Sequence, residues 1–304
     1  MPWGTFSSGC LVKIALLGSS GYLGQAYLRA PVPPGLNLVP VQRNQVAYHD
    51  PTVLRNFIRN EKINAILNCA GFTGKPNVDA CEDQKEICFQ MNVLLPEIVA
   101  RVAADEKISL FQIGSGCIYR GSPSGVDSDQ GFREEDKPNF SFDHPPCSFY
   151  SGTKAEMEKR IGGLPGVSIW RLRMPFSTDR ENRNLLAKLA CYPKILEARN
   201  SLTDLKEMIS ISMRMLLARV PQGIYNMTNP GAVSSSHIAE LLYQHGIRKE
   251  PPLFFSSKEE IAAAMRAPRS SCVLDSSKIS RMGFPMRDIQ VALEDAVKIM
   301  ARGV

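Results

Sequence analysis

Short apolar runs alternate with longer segments of mixed polarity along most of the chain. Nearly continuous apolar runs are typical of strands buried on both faces of a parallel sheet, and the segments between them have the length of helices. The alternation therefore predicts an α/β fold built on a doubly wound parallel sheet, with a smaller C-terminal lobe. The predicted strands are 11–17, 36–41, 63–68, 108–113 and 167–172, with a sixth at about 223–227.

The segments between these strands predict helices at 52–60 and 92–104. A longer helix, at 201–218, repeats apolar residues at the spacing of one helix face, which is typical of a core helix. The segment 120–146 is rich in Ser, Gly, Asp and Pro, and it is long for a connection inside a compact domain. We expect this segment to cover a functional site.

A glycine-rich turn follows the first strand directly. Gly18, Gly21 and Gly24 recur at every third position before a predicted helix. In a dinucleotide-binding turn the first glycine permits a tight bend, the second lets a pyrophosphate approach the backbone, and the third lets the helix pack close to the sheet. N–H groups at the helix start then bind the phosphates. We therefore predict a Rossmann dinucleotide site. Its residues in this turn are Gly18, Ser20, Gly21, Tyr22, Leu23 and Gly24.

The ends of the next two strands carry further candidates for cofactor binding. The second strand ends in Gln42 and Arg43, without the acidic residue that binds the ribose 2′-OH of NAD. An arginine there accommodates the extra phosphate of NADP, so we predict NADPH, with NADH as the alternative. Asn68 ends the third strand, and the small residues Ala70 and Gly71 follow it, which lets a cofactor lie against the backbone.

Tyr150 and Lys154 stand four residues apart in a predicted helix, so they share one face. A fixed ammonium group is expected to lower the pKa of the phenol, so that it can exchange a proton with a carbonyl or hydroxyl group. Ser115 ends the fourth strand, where a hydroxyl could polarise a substrate carbonyl. Cys117, two residues further, is expected on the same side of the extended chain.

Composition excludes several functions. The net charge is +6 with Lys and Arg scattered, so nucleic-acid binding is not expected, whereas anionic small molecules suit a mild positive excess. Eight cysteines without a Cys-x-x-Cys pair indicate free thiols in a reducing, cytoplasmic compartment. Four isolated histidines suggest no metal site. Residues 1–10 do not read as a signal peptide, and no apolar run reaches the ~18 residues of a membrane span, so none is expected.

The order of these motifs resembles the extended short-chain dehydrogenase/reductase family. Several longer blocks are similar to one subgroup, the plant-type nucleotide-rhamnose synthases (epimerase-reductases). The resemblance spans roughly residues 11–290. These blocks are Asn-Cys-Ala-Gly-Phe-Thr-Gly-Lys-Pro-Asn-Val-Asp (68–79), Gly-Cys-Ile (116–118), Gly-Phe-Arg-Glu-Glu-Asp-Lys-Pro-Asn-Phe (131–140), Arg-Met-Pro (173–175), Tyr-Asn-Met-Thr-Asn-Pro-Gly (225–231) and Ala-Pro-Arg-Ser (267–270).

The resemblance implies a bifunctional enzyme. It would invert C3 and C5 of a nucleoside-diphospho-4-dehydro-6-deoxy-glucose, with UDP favoured over dTDP, and then reduce the C4 ketone with NADPH to a nucleotide-L-rhamnose. Tyr150, Lys154 and Ser115 match the reductase positions, with Lys154 also holding the nicotinamide ribose. Cys117 and Lys188 match the epimerase positions, and which of the two is the base stays open. Whether both carbons are epimerised also stays open.

The same resemblance implies how the chain divides. Residues 1–175 would form the NADP(H)-binding domain with the Ser, Tyr and Lys, and residues 176–304 mainly a lobe for the nucleotide-sugar, with one strand returning to the sheet. Members of the family often dimerise through helices beside the sheet, so a homodimer is expected. The residues expected to bind the sugar nucleotide are Thr73, Gly74, Lys75, Asn77, Val78, Asn184 and Arg269.

Two other functions compete with this one. A reductase without epimerase activity would resemble bacterial dTDP-4-dehydrorhamnose reductase, and the Gly-Cys-Ile segment and Lys188 argue against it. A non-catalytic, cofactor-binding regulatory subunit would share the fold, because fold does not imply function. The intact Ser115, Tyr150 and Lys154 argue against this second alternative.

Overall fold

The strands and helices of the protein are described from a computed structural model over residues 11–124 and 130–303. In chain order the strands are β1 (Val12–Leu17), β2 (Leu36–Val41), β3 (Ala65–Asn68), β4 (Ser109–Ser115), β5 (Val167–Leu172), β6 (Pro175–Phe176), β7 (Arg199–Asn200), β8 (Thr203–Asp204), β9 (Ile224–Asn226) and β10 (Val233–Ser234). The expectation for residues 1–10 lies outside the described residues.

The helices connect and flank these strands. They are α1 (Tyr22–Arg29), α2 (Pro51–Glu61), α3 (Ala80–Asp83), α4 (Lys85–Phe89), α5 (Leu95–Asp105), α6 (Phe149–Ile161), α7 (Leu185–Cys191), α8 (Leu205–Ala218), α9 (Ser235–Gln244), α10 (Lys258–Ala264), α11 (Ser277–Arg281) and α12 (Ile289–Ala301), with a π-helical turn at Gln90–Leu94 and a 3₁₀ turn at Gly116–Ile118.

Six of the strands form one parallel sheet in the order β2-β1-β3-β4-β5-β9. The chain moves outward from β1 to β2 and then crosses back to β3, so the direction of winding changes between β1 and β3. Ligands of such sheets bind beyond the carboxyl ends of the strands at this change of direction. The predicted doubly wound parallel sheet is confirmed, and the predicted strands lie where the structure has them to within two residues.

Each face of the sheet is covered by helices, because successive side chains of a strand point to opposite faces. Ile14 and Leu16 of β1 belong to the core that includes α1, α8 and α11. Ala15 and Leu17 belong to the opposite core, with α2, α5 and α6. A third cluster, between α7, α9 and α12, forms the interior of the C-terminal lobe.

The C-terminal half returns to the sheet with more than the predicted strand. Besides β9, helix α8 lays Leu205, Ile209 and Met213 into the core beneath the sheet. The predicted apolar stripe is thus buried, although the helix begins at Leu205 and not at residue 201. It begins there because the Asp204 carboxylate accepts the backbone N–H groups of Lys206 and Glu207, which caps the first turn.

The helix predicted at 92–104 is part of a continuous helical stretch, Lys85–Asp105. A π-helical turn interrupts it around Asn92, whose amide group bonds both the N–H and the carbonyl of Phe72, each at 2.8 Å. This stretch is long and apolar enough to cross a membrane by length and composition alone, and half of its most apolar window is buried in the fold. It packs against β4 and α6, which accounts for its apolar character.

The long connection after β4 is tied to the C-terminal lobe in the part that is described. Gly121 bridges to Cys272, and Phe132 bridges to Leu274. Residues 125–129 of the predicted covering segment lie outside the described residues. Further along, the Phe140 N–H donates to the carbonyl of Ile118, just after β4, before the chain enters α6. That the segment covers a functional site stays a prediction.

A buried ion pair joins α6 to β5. Arg171 donates to both carboxylate oxygens of Glu158, with Nη2 to Oε2 at 2.8 Å, and the two side chains are 2% and 5% exposed. Arg171 also donates to the backbone carbonyl of Glu134, and the Glu134 carboxylate accepts the N–H of Asn226 at 2.9 Å. The pair therefore connects α6, β5, β9 and the covering segment at the centre of the sheet.

Replacing Glu158 by Gln should leave the Arg171 guanidinium buried without a counter-charge, and the expected loss is about 3 kcal/mol of unfolding free energy. Urea denaturation, with an unchanged slope, measures this loss. The matched control is Glu156→Gln on the same helix, whose exposed ion pair with Arg160 should contribute at most about 1 kcal/mol. Equal effects of the two substitutions would contradict the assigned role of the buried pair.

Candidate active site

The glycine turn between β1 and α1 is built so tightly that side chains are excluded at two of its positions. Gly18 has a φ of +73°, and a Cβ atom there would lie 2.6 Å from the backbone nitrogen of Ala70. A Cβ atom at Gly24 would lie 2.4 Å from the carbonyl oxygen of Gly18. The turn and the end of β3 are therefore in direct backbone contact, and α1 packs against the turn itself.

The same turn fits a dinucleotide phosphate. The residue that caps α1 is Gly21, which is exposed. It has no side chain that could accept the first N–H groups of the helix. The hydroxyl of Ser19 is buried and has no hydrogen-bond partner within the described ranges. Free donors at a helix start are the feature that binds phosphate. Ser20, Tyr22 and the rest of the predicted turn residues frame this surface.

Tyr22 has a second contact that the sequence did not indicate. Its hydroxyl lies 2.9 Å from Ser177 Oγ, on the chain that follows β6, so the glycine turn is joined to the C-terminal lobe. Burial raises the pKa of Tyr22 to about 12, which keeps the hydroxyl protonated at neutral pH. Leu23, the next residue, packs against the core below the sheet.

Arg43 lies at the carboxyl end of β2, exposed, with one guanidinium nitrogen 3.5 Å from Met91 Sδ. No carboxylate pairs with Arg43 among the described residues, and its contact with an NADP 2′-phosphate stays a prediction. The role of Asn68 differs from the expectation. Its side chain is fully buried and holds Ala70 N–H and Gln112, so it shapes the turn after β3 and does not face a ligand.

Gly71 connects the glycine turn to the catalytic helix. A Cβ atom at Gly71 would lie 3.1 Å from Asn92 Oδ1 and 3.9 Å from Lys154 Nζ. Asn92 is a residue of this site that our sequence analysis missed. Its amide also donates to Thr153 Oγ1 at 3.3 Å, next to Lys154. An asparagine within an apolar helix was the available signal, because a buried amide needs partners.

Tyr150 and Lys154 share one face of α6, as predicted. The ammonium of Lys154 lies 5.9 Å from the centroid of the Tyr150 ring and donates to the carbonyl of Ile113 at 3.4 Å. Ser148 caps this helix, and Glu82 accepts the N–H of Phe149 at 2.8 Å. The start of α6 is therefore held from two sides, which fixes the direction of the Tyr150 side chain.

The expected lowering of the Tyr150 pKa is not found in the structure. Burial raises the pKa of Tyr150 well above its ordinary value, and burial lowers the pKa of Lys154. The effect of desolvation exceeds that of the neighbouring charge. The hydroxyl of Tyr150 has no hydrogen-bond acceptor among the residues that the structure describes, so its proton is available to a substrate oxygen.

Ser115 and Cys117 lie in the same pocket, although the chain between them is not extended as expected. It forms a 3₁₀ turn, in which Ser115 Oγ accepts the N–H of Cys117 at 3.2 Å. The Cys117 side chain is 6% exposed, and burial raises the pKa of its thiol. The nearby side chains of Ser115 and Ser151 lower the pKa of this thiol and so oppose that rise. Ser151, on α6, is the second residue that the sequence analysis missed.

Lys188 and Asn184 have different roles in the structure. Lys188 is half-buried on α7, and burial lowers its pKa, as does the nearby Arg183. Asn184 is fully buried, and its amide bonds the backbone of Ser177, Asp179 and Leu186. All of its polar groups are thus occupied by the protein. Asn184 thus caps α7, and its contact with a sugar nucleotide stays a prediction.

The other predicted substrate residues lie in the loop after β3, where Thr73 and Lys75 are exposed. Gly74 is buried with a φ of +73°, and the Asn77 side chain accepts the N–H of Asp79, so these two residues shape the loop. Val78, which follows Asn77, is half-buried. Arg269 reaches this loop from the C-terminal lobe. Its guanidinium donates to both carboxylate oxygens of Asp79 at 2.7 Å, which leaves part of its hydrogen-bonding capacity for a ligand.

Two other features of the described residues bear on where a ligand could bind. Within residues 11–124 and 130–303, no three His, Cys, Asp or Glu side chains are grouped to hold a metal ion. A cleft of about 670 Å³ opens between α8 and α12, and it contains Asp204, Glu207, Arg287 and Asp295. Arg287 is paired with all three carboxylates, so the charges of this cleft are largely matched within the protein.

Sheet, glycine turn and the Ser115, Tyr150 and Lys154 cluster together define a reductase-type enzyme of Rossmann fold. Residues 12–302 match the model of one family, the RmlD substrate binding domain. The chain belongs to this family, and the predictions of the family, the fold and an enzyme are confirmed.

Relatives of known activity cover most of the chain. One is a trifunctional UDP-glucose 4,6-dehydratase/UDP-4-keto-6-deoxy-D-glucose 3,5-epimerase/UDP-4-keto-L-rhamnose-reductase of Arabidopsis thaliana, 36% identical over 93% of this chain and 41% of the relative. Another, also from Arabidopsis thaliana, is a bifunctional dTDP-4-dehydrorhamnose 3,5-epimerase/dTDP-4-dehydrorhamnose reductase, 38% identical over 75% of this chain and 74% of the relative. The chain thus spans about two fifths of the trifunctional relative's length.

Solved structures share the fold. The L780 UDP-rhamnose synthase of Acanthamoeba polyphaga mimivirus has a TM-score of 0.84 and 25% identity over 95% of this chain and 100% of that one. The dTDP-4-dehydrorhamnose reductase of Bacillus anthracis, solved in complex with NADP, has a TM-score of 0.79 and 16% identity over 97% of this chain and 100% of that one.

Replacing Gly18 by Ala should abolish cofactor binding and destabilise the protein, because the new Cβ atom would meet the backbone of Ala70 at a positive φ. Quenching of NADPH fluorescence and the melting temperature measure the two effects. Gly163→Ala is the control, since a Cβ atom there meets nothing within 4 Å. Normal NADPH affinity in Gly18→Ala would show that this turn does not hold the cofactor.

Proposed function

We propose that the chain epimerises C3 and C5 of a nucleoside-diphospho-4-dehydro-6-deoxy-glucose and then reduces the C4 ketone with NADPH, giving a nucleotide-L-rhamnose. The observation that carries the proposal is the meeting of Ser115, Cys117, Tyr150 and Lys154 in one pocket. This pocket adjoins the glycine turn through Gly71. The activities of the Arabidopsis and mimivirus relatives support the proposal.

The cofactor is NADPH, held at its phosphates by the turn Gly18–Gly24, at the adenosine end by Arg43, and at the nicotinamide ribose by Lys154. When bound, it supplies a hydride to a carbonyl carbon. Tyr150 donates its proton to the C4 oxygen as that oxygen gains negative charge, and Ser115 donates a hydrogen bond to the same oxygen. The raised pKa of Tyr150 keeps this proton in place at neutral pH.

Epimerisation uses the same ketone. The C4 carbonyl acidifies the hydrogens on C3 and C5, and removal of either one leaves an enolate with its charge on the C4 oxygen. Ser115 and Tyr150 stabilise that charge by the same hydrogen bonds. Cys117 and Lys188 exchange the carbon-bound proton from opposite faces of the sugar. The lowered pKa of Lys188 suits this role, because it brings the ammonium closer to neutrality.

The finer features of the function are part of the same proposal. UDP is favoured as the nucleotide because two of the relatives named above act on UDP sugars. A homodimer could form through the helices beside the sheet, where Ile87 and Leu94 are 40% and 39% exposed. A cytoplasmic location is supported by the free thiols of the seven described cysteines.

A reductase without epimerase activity is the second candidate, since the chain shares its fold with bacterial dTDP-4-dehydrorhamnose reductases. Its site would need Ser115, Tyr150 and Lys154 and would have no use for Cys117 or Lys188. The side chains of Ser115 and Ser151, which lower the pKa of the Cys117 thiol, favour the bifunctional enzyme. So does a half-buried Lys188 without an acidic partner among the described residues. The regulatory subunit is set aside, because the chain is an enzyme.

The test is incubation with UDP- and dTDP-4-dehydro-6-deoxy-glucose plus NADPH, with NMR of the product sugar. We expect L-rhamnose, formed faster from the UDP substrate. Tyr150→Phe should bind NADPH normally but turn over at least ~10²-fold more slowly, because the proton donor is lost. A reduced sugar that keeps its original C3 and C5 configuration would show that the protein is a reductase without epimerase activity. The absence of NADPH oxidation with both substrates would refute the proposal.

Cys117→Ala should block rhamnose formation from the C3/C5-unmodified ketone while it retains most of the reduction of an already epimerised ketone. The reason is that the thiol is needed only for proton exchange at carbon. NADPH oxidation with each of the two substrates measures the difference. Cys191→Ala, an exposed cysteine at the end of α7, is the matched control and should behave as the wild type. Equal loss of both activities in Cys117→Ala would count against the role of this thiol.

A further inference from the structure

Arg173 is a buried cation without a counter-charge. It follows β5, is 6% exposed, and donates only to neutral acceptors, the side-chain carbonyl of Asn200 and the backbone carbonyl of Ser270. Within the described residues, no carboxylate pairs with it, and its Nη1 group has no acceptor. A buried guanidinium without an anion is costly, so such a group normally stabilises a negative charge that forms elsewhere in the site.

The partners of Arg173 lead directly to the turn that carries Cys117. Asn200 Oδ1, which accepts from Arg173, also accepts the N–H of Cys272 at 3.0 Å. The Cys272 thiol in turn donates to the carbonyl of Gly116 at 3.1 Å, one residue before Cys117. The guanidinium and the Cys117 turn are therefore held against the same short segment of chain.

The backbone next to Arg173 is strained. Met174 has a φ of +38°, a value that residues other than glycine rarely adopt. Strain of this kind is kept where the surrounding structure fixes a side chain for function. Arg173 has no role in the reduction or the proton exchange proposed above. Its block of sequence, 173–175, is one of those that carry the family resemblance.

We propose that Arg173 is a positioning residue that supplies the fixed positive charge needed for Cys117 to act as a thiolate. The inference deepens the proposed function and rests on it for its catalytic meaning. The thiolate sulfur takes the proton from C3 or C5, and the electron pair of the broken C–H bond passes into the enolate. A proton from the Lys188 ammonium then returns to the same carbon from the other face, so the assignment makes Cys117 the base and Lys188 the acid.

The surroundings of Cys117 explain why such a charge is needed. Burial raises the pKa of its thiol. That rise is opposed by the side chains of Ser115 and Ser151 and by the positive charges of Arg173 and Lys154. Burial lowers the pKa of Lys154, whereas Arg173 is a permanent cation. The titratable and charged groups that face the sulfur are Tyr150, Lys154, Cys147, Cys272 and Arg173.

The test is the thiolate titration of Cys117, followed by ultraviolet absorbance of the wild type with the Cys117→Ser protein as the blank. In Arg173→Gln we expect the transition to move to higher pH by about one unit, since one nearby charge is lost. Arg173→Lys, which keeps the charge, should restore most of this shift. Arg248→Gln is the matched control. Arg248 is also buried on backbone carbonyls, but it caps the end of α7 and does not face Cys117.

An unchanged transition in Arg173→Gln, or an equal shift in Arg248→Gln, would overturn the inference. If the glutamine variant fails to fold, as judged by NADPH binding, the charge-removing variant Arg173→Met decides. A thiolate transition at least about half a pH unit above that of the wild type supports the role of the charge, and an unchanged transition overturns it. Deuterium exchange at C3 and C5 separates the two proposals. If the thiolate pKa of Cys117 depends on Arg173 but no deuterium exchanges at C3 or C5, only the proposed epimerisation is refuted. If deuterium exchanges but the pKa does not depend on Arg173, only the role of Arg173 is refuted.

Discussion

The structure depends on one buried electrostatic contact, the ion pair between Glu158 of α6 and Arg171 of β5. Tyr150, Lys154 and Glu158 stand four residues apart on α6, so they form one stripe along the helix. Glu158 anchors the inner end of this stripe to the middle of the sheet. The outer end then extends past the carboxyl end of β4, where Ser115 lies. A rotation of α6 that moved Tyr150 away from the pocket would also pull Glu158 from Arg171, and the low dielectric of the interior makes that separation costly.

Local patterns were sufficient to predict most of the fold and part of the site. The strands could be predicted because a buried parallel strand is apolar along its whole length. The turn at Gly18 could be predicted because close backbone contacts within the motif require glycine at fixed positions. The Tyr150 and Lys154 pair was found because four-residue spacing fixes a shared helix face. These features depend on neighbours in sequence, and a single chain reports them directly.

Most differences at the site concern polar side chains whose partners the sequence pattern does not reveal. Asn68 and Asn184 were assigned to ligands, but their amides are occupied by Gln112 and by the backbone around Ser177. Asn92, Ser151 and Arg173 were missed because their significance comes from contacts across the fold. The pKa of Tyr150 was predicted in the wrong direction, because sequence spacing reveals the neighbouring charge but not the degree of burial.

Burial also explains how one pocket could serve two reactions. Proton removal from carbon and hydride addition both place negative charge on the same oxygen, so donors arranged for one reaction also assist the other. Two cations, Lys154 and Arg173, act on the Cys117 side chain in this pocket, and within the described residues neither is paired with a carboxylate. In water such charges would be screened, but in a desolvated pocket they act at full strength on whatever anion forms there. The protein thus pairs Arg171 with a carboxylate but gives Arg173, two residues further along the chain, neutral partners only, and that contrast is the reason Arg173 belongs in the proposed chemistry.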